Sequence, residues 1–168
     1  MVVERVAKKP LDFQEKFLIG PMERCHINNT FSLFQEQQPS FTLEHFLKLW
    51  GNVSPYKINQ SVENQNCIRD IIIARSSNDY IHGLYVYSAT PKKKFEIEHL
   101  IIPGPIARQT ILKQFIEHMI RSGLDLQCSM ISIYHLNEND WRSLFLQEAG
   151  AKRVKSDCLQ INLLTKKN

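Results

Sequence analysis

The sequence predicts an α/β fold whose mixed sheet contains an antiparallel meander followed by one parallel strand pair. Three runs of β-branched and aromatic residues, 68–76, 80–90 and 94–103, are separated only by short polar turns. Such turns are typical of antiparallel neighbours. After Pro103 the apolar residues change from strand spacing to helix spacing. The helix that follows is long enough for a crossover, so the next strand is expected to lie parallel to the third run.

The first 60 residues look helical and irregular, and we expect a helix over residues 41–51. Thr42 is a suitable N-cap and Gly51 a suitable end. The surrounding apolar surface has two interpretations. The favoured one is that it packs against the sheet, and the other is that part of it lines a substrate groove. It comprises Phe31, Leu33, Phe34, Phe46, Leu47 and Trp50.

The second half alternates helices and strands. A helix is expected from Pro105 to Gly123, followed by a strand over 129–137 with Ile131, Ile133 and His135 on one face. A short helix follows, capped by Asn139 or Asp140 and closed by Gly150, and then one or two final strands. His99 and His135 are expected to be structural rather than metal ligands, because no third ligand stands at a recognisable spacing.

Length and composition predict one domain over 1–168, with an N-terminal helical part (1–66) and a sheet core (67–168). The net charge of +4 suits an anionic cofactor or partner, but the lysines are scattered and give little support to nucleic-acid binding. The N-terminus lacks the apolar core of a signal peptide, and no run is long enough for a membrane helix. Four cysteines without a CxxC favour reduced thiols, so we expect a cytoplasmic protein without a membrane partner.

The order of elements from Ile68 to Leu164 resembles the GNAT acetyltransferase superfamily. "IIIARSSNDYIHGLYVYS" is similar to the second and third strands of that family, with Gly83 where the third strand often has a glycine. "FEIEHLIIP" resembles its fourth strand. "NENDWRSLFLQEAGA" resembles its asparagine, short helix and "GF" ending, with Ala151 in place of phenylalanine.

The resemblance implies a GNAT fold and a site for acetyl-CoA or another acyl-CoA between splayed parallel strands. The main chain of Leu100, Ile101 and Ile102 would pair with the pantetheine arm. The turn at the following helix start would bind the pyrophosphate, with Asn139 also at the cofactor site; the turn residues are Ile106, Ala107, Arg108, Gln109 and Thr110. Bulkier side chains replace the glycines of the family turn, and Pro105 removes one amide donor. Arg108 is positioned in the sequence to compensate with a charged contact.

The resemblance also implies transfer of the acyl group to an amine, which requires a base and allows an acid. Glu96 and Glu98 lie two residues apart on one strand and are predicted to share a face. Glu96 occupies the place of the general-base glutamate of some family members. The place of the tyrosine acid found in many members holds Leu146, so no tyrosine acid is carried over. Tyr134 or His135 is the candidate acid, and the favoured alternative for both is a structural role.

Two functions follow from this resemblance. The first is an N-acyltransferase that acts on a small-molecule or protein amine. The second is a catalytically inactive GNAT-like domain that binds a protein partner or a second copy of itself. The ornithine decarboxylase antizymes share this fold, and "LIIPGP" followed by helix, strand and "NEND" is loosely similar to their corresponding stretch.

Overall fold

The computed structural model describes residues 17–50, 67–104 and 107–163. The predictions made for Gly51, Pro105 and Ile106 lie outside these residues. The described residues contain seven strands, which are β1 (Leu18–Pro21), β2 (Ile68–Arg75), β3 (Ile81–Thr90), β4 (Lys94–Ile101), β5 (Met130–Tyr134), β6 (Lys152–Lys155) and β7 (Cys158–Asn162).

All seven strands belong to one sheet in the order β1-β2-β3-β4-β5-β7-β6. Every neighbouring pair is antiparallel except β4 and β5, which run parallel. The predicted meander and the predicted parallel pair are therefore both confirmed.

In the part of the chain that the structure describes, four α-helices cover the sheet, and they are α1 (Ile27–Gln37), α2 (Leu43–Leu49), α3 (Arg108–Asp125) and α4 (Trp141–Glu148). A short 3-10 turn, Arg24–His26, precedes α1. Within the described parts of the chain, every helix is too short or too polar to span a bilayer.

The helix ends follow from local chemistry. The Thr42 hydroxyl accepts a hydrogen bond from the His45 amide, 3.2 Å away, and so caps α2 as expected. Asp140 rather than Asn139 caps α4, since its Oδ1 accepts the Arg142 amide at 2.9 Å. Gly150 ends α4 with φ of +110°, a conformation that a side chain would strain.

The structure differs from the sequence prediction in four places. The N-terminal part, expected to be helical, also contributes the edge strand β1. Helix α3 begins at Arg108, after Ala107, which was expected inside the helix, and it continues past Gly123 to Asp125. A Cβ at Gly123 would lie only 2.7 Å from Leu163, so this glycine permits close packing instead of ending the helix. Strand β5 ends at Tyr134.

His135 is consequently not on the strand face of Ile131 and Ile133. It is exposed and has φ of +66°, which turns the chain out of the sheet directly after β5.

The core has two parts, one on each side of the sheet. The larger joins α3 and α4 to the sheet through residues that include Phe95, Ile97, Leu112, Phe115 and Leu146. In the smaller, Phe34 of α1 and Phe46 of α2 are fully buried against β2, β3 and the end of β4. The N-terminal aromatic surface therefore packs on the sheet, as the favoured interpretation expected.

Candidate functional site

The parallel strands β4 and β5 separate after three residues of pairing. Phe95, Glu96 and Ile97 of β4 face residues 131–133 of β5. Strand β4 continues to Ile101, whereas β5 ends at Tyr134 and the chain turns away at His135. Among the described residues, the last residues of β4 therefore have no strand partner on the β5 side, and a split opens there.

A cleft of about 590 Å³ occupies this split. This volume is within the range of small-ligand sites in proteins. One wall is the end of β4 and the segment after it, the other is the loop after β5 with the start of α4, and the end of α1 closes one side. The lining residues are Gln37, Gln38, Glu98, His99, Leu100, Ile101, Ile102, Pro103, Tyr134, His135, Asn139, Asp140, Trp141 and Arg142.

The N-terminus of α3 lies just beyond the end of β4. Ala107 is its N-cap and has a left-handed conformation, with φ of +62° and ψ of 8°. The amides of Arg108, Gln109 and Thr110 belong to the first turn, which has no intrahelical acceptors for them. The Arg108 guanidinium stacks on the indole ring of Trp141 with 4.4 Å to the ring centroid. A helix N-terminus and a fixed cation thus lie together near one end of the cleft, an arrangement that favours an anion.

The wall formed by the loop after β5 is held in place by a buried network. The Ser143 hydroxyl of α4 donates to the Asn137 carbonyl at 2.7 Å and accepts from Arg153 at 3.0 Å. Arg153 also donates to the carbonyls of Leu136 at 2.8 Å and Ser156 at 2.9 Å. These bonds satisfy carbonyls that the turn would otherwise leave unpaired and fix the loop relative to β7.

Arg142 reaches across the split from α4 to β4. Its Nη1 donates to the main-chain carbonyl of Leu100. Its Nε and Nη2 donate to the two carboxylate oxygens of Asp140, at 2.8 and 2.5 Å. Burial alone would raise the pKa of Asp140, but the hydrogen bonds and charge of Arg142 outweigh it and hold this pKa below the usual value.

Glu96 lies next to the base of the split. The Tyr134 hydroxyl donates to its Oε2 at 3.0 Å, and the Lys94 ammonium is 3.6 Å from the same oxygen. Burial, followed by the hydrogen bond to Glu96 and its negative charge, raises the pKa of Tyr134. The phenol is therefore protonated at neutral pH, so Tyr134 and Glu96 form a donor–acceptor pair at the cleft.

Glu98 is the extra residue of a bulge in β4, because Val86 pairs with His99 while Tyr87 pairs with Ile97. Strict alternation does not hold across this bulge, and Glu98 lines the cleft directly. Its carboxylate binds the Arg69 guanidinium at 3.1 Å. The two glutamates thus have different partners.

His99 lines the same cleft and packs against two aromatic rings, with centroid distances of 5.0 Å to Phe34 and 6.0 Å to Phe41. Burial lowers the pKa of His99, and the charge of Arg69 acts in the same direction, while the negative charge of Glu98 opposes this only in part. A neutral imidazole at physiological pH follows from this environment.

The structure brings most of the predicted site residues to one cleft. Leu100, Ile101, Ile102, Glu98, Tyr134 and Asn139 line it, Glu96 contacts it through Tyr134, and the described turn residues 107–110 start the helix beside it. The cleft also contains residues that were not predicted from the sequence, namely Gln37, Gln38, Trp141 and Arg142. His99, predicted to be structural, lines it as well. The position of "WR" directly after the resembling "NEND" stretch was a usable signal for Trp141 and Arg142.

No model of a protein family matches the chain, and no curated protein matches it by sequence. Its fold does match solved structures. These include an aminoglycoside 6'-N-acetyltransferase from Enterococcus faecium, with a TM-score of 0.65 and 10% identity, covering 90% of this chain and 99% of that one. A GNAT-family acetyltransferase from Staphylococcus aureus has a TM-score of 0.63 and 10% identity over 88% of this chain and 99% of its own.

A spermidine N-acetyltransferase SpeG chimera from Vibrio cholerae and hSSAT matches with a TM-score of 0.60 and 12% identity, over 89% of this chain and 96% of its own. Identities this low show a shared architecture and not a shared substrate. The strand order, the single parallel pair and the match over nearly the whole of each neighbour lead to one conclusion: this chain has the fold of the GNAT acetyltransferases.

Proposed function

We propose that the protein is an N-acyltransferase that transfers an acetyl or other acyl group from CoA to an amine. The observation that carries this proposal is the split between β4 and β5, which opens a cleft between a free strand edge and a helix N-terminus. The structural neighbours named as aminoglycoside and spermidine N-acetyltransferases support transfer to an amine. The acceptor is a small-molecule or protein amine.

The described residues fit an acyl-CoA in chemistry. The main chain of Leu100, Ile101 and Ile102 would pair with the pantetheine arm, and Asn139 lies on the opposite wall. Ala107, the first-turn amides of Arg108, Gln109 and Thr110, and the Arg108 guanidinium would bind the phosphates. Ile106 belongs to the same proposed turn. When bound, the cofactor supplies the thioester.

Two side chains of this protein would transfer protons, and a third would supply charge. Glu96 accepts a proton from the amine, directly or through Tyr134 and water. Tyr134 keeps its proton at neutral pH because its pKa is raised, so it is able to donate to the leaving group. Glu98 is paired with Arg69 and contributes negative charge near the ammonium form of the acceptor.

Calorimetric titration with acetyl-CoA tests the cofactor site. Arg108→Ala is expected to weaken binding by about 1–3 kcal/mol, the scale of one hydrogen bond to a charged group. Arg121→Ala is the matched control, because it removes an exposed arginine from the other half of α3. Tight binding of acetyl-CoA that is unaffected by Arg108→Ala would show that the phosphates lie elsewhere.

Single-turnover kinetics with a panel of amines tests the catalytic roles. Glu96→Gln should lower turnover and remove the acidic limb of the pH–rate profile while leaving cofactor affinity nearly unchanged. Glu98→Gln is the comparison. Equal losses in both variants would indicate an electrostatic pair, and no loss in either would exclude the glutamates as bases.

The second candidate function is a catalytically inactive domain that binds a protein. The bond from Arg142 to the Leu100 carbonyl favours it, because this bond occupies an acceptor that the pantetheine arm would use. A folded wild-type protein and an Arg142 variant that both bind no acyl-CoA would favour this function over the enzyme.

A further inference from the structure

The Arg142 side chain is fixed at both ends of its guanidinium group. Asp140 binds Nε and Nη2, and the Leu100 carbonyl accepts from Nη1. Both charged side chains are largely buried, with 22% of Arg142 and 17% of Asp140 exposed. Asp140 is itself fixed because it caps α4. A long side chain thus spans the split from α4 to β4.

The Leu100 carbonyl needs a donor wherever it is withdrawn from water. Leu100 is only 4% exposed, and the pairing of β4 with β5 ends at Ile97. A buried carbonyl without a partner costs about 1–3 kcal/mol. Arg142 supplies the donor that the missing strand does not.

A ligand that lies along this edge of β4 needs the same carbonyl. A carbonyl oxygen can accept two hydrogen bonds, but both donors would approach it from the split. The amide of the ligand and the Arg142 Nη1 therefore compete for the same side of the Leu100 carbonyl. Asp140 already neutralises the guanidinium. Arg142 therefore remains in the split without an anionic ligand beside it.

We propose that Arg142 is an autoinhibitory latch, which closes the cleft by binding Leu100 and which an acyl-CoA must displace. This inference rests on the proposed cofactor site. In the closed state the guanidinium bridges α4 and β4. In the open state it keeps its bonds to Asp140 and leaves the Leu100 carbonyl to the ligand. The latch lowers cofactor affinity by the strength of one charge-assisted hydrogen bond.

Calorimetric titration with acetyl-CoA, on wild type and Arg142→Met, tests the latch. Methionine keeps an apolar stem against the cleft wall but has no donor for Leu100. We expect its dissociation constant to be about tenfold lower than that of wild type, the factor that corresponds to one such bond. Arg142→Lys is the second variant, since a lysine cannot bind Asp140 and Leu100 together with the planar geometry of a guanidinium. Arg142→Lys should bind acetyl-CoA more tightly than wild type does. It should also fold if Arg142→Met does not, and then it provides the test.

Arg121→Met serves as the control and should bind as wild type does. Tighter binding by the Arg142 variants, or binding by them alone, supports the latch. Weaker binding by the variants would overturn it and make Arg142 a cofactor ligand, with the proposed function intact. Unchanged affinity would also overturn it. Binding of acetyl-CoA to none of the folded proteins would overturn the proposed function and the latch together.

Discussion

Replacing Asp70 by asparagine should stabilise the protein at neutral pH and leave its stability unchanged in acid. Asp70 lies on β2 opposite Tyr87, and its charge contributes to the raised pKa values of Tyr85 and Tyr87. Burial raises the pKa of Asp70 from 3.8 to about 6, and the hydrogen bond from the Ile71 amide to Oδ1, at 2.8 Å, opposes this only in part. An asparagine Oδ1 accepts the same bond without the charge.

The magnitude follows from the pKa difference between folded and unfolded states. A shift from 3.8 to about 6 is a little over two units, which corresponds to about 3 kcal/mol. The folded protein binds this proton more tightly than the unfolded chain does. Stability contributed by the group is therefore greatest below pH 3.8 and falls as the pH rises to about 6. Above that window both states are ionised and the whole penalty is present.

Urea denaturation of wild type and Asp70→Asn at several values between pH 4 and pH 8 measures the effect. The difference in unfolding free energy should grow through the window and reach a plateau of up to about 3 kcal/mol near neutrality. Asp157→Asn, an exposed carboxylate in a turn, is the matched control and should show no such growth. An increase in unfolding free energy that is equal at both ends of the pH range, or a decrease near pH 8, would show that the charge of buried Asp70 is not the cause.

Substitutions at three further positions test hydrogen bonds that support the fold. Arg153→Met should lower the unfolding free energy by about 2 kcal/mol, because the Ser143 hydroxyl and two main-chain carbonyls lose their donor; urea denaturation measures it. Thr42→Ala should cost about 1 kcal/mol through loss of a helix cap, while Thr42→Ser should cost less. Tyr85→Phe should cost about 1 kcal/mol in thermal unfolding, since its hydroxyl and His118 Nδ1 are 2.7 Å apart; an unchanged transition would show that this bond contributes nothing.

Local patterns were sufficient to predict the centre of the sheet. The runs that became β2, β3 and β4 are rich in β-branched and aromatic residues over eight to ten positions, and polar turns separate them. β1 could not be predicted in the same way. It is four residues long and includes Gly20 and Pro21, both of which are depleted in strands. It is a strand because β2 offers it a free edge.

The site was predicted only where resemblance or strand order placed a residue. Neither gives long-range side-chain contacts. Arg142 and Leu100 are 42 residues apart in sequence, and an arginine near the start of a short helix is usually solvated. The stacking of Arg108 on Trp141 could not be predicted from the sequence for the same reason. The left-handed conformation of Ala107 was easier to predict. The family turn has glycines in this region, and Ala107 is the one small residue within the turn of this chain.

The Leu100 carbonyl connects the fold of this chain to the question of its activity. Wherever two parallel strands diverge, the longer strand keeps a main-chain acceptor that something must satisfy. A bound ligand satisfies it only part of the time, whereas Arg142 satisfies it permanently in the ligand-free protein. The same contact therefore stabilises the unliganded chain and opposes the ligand. It follows that Arg142→Met should affect the two properties in opposite directions, with a less stable free protein and a larger stabilisation by acetyl-CoA in thermal unfolding. A change of both in the same direction would mean that the contact has no part in closing the cleft.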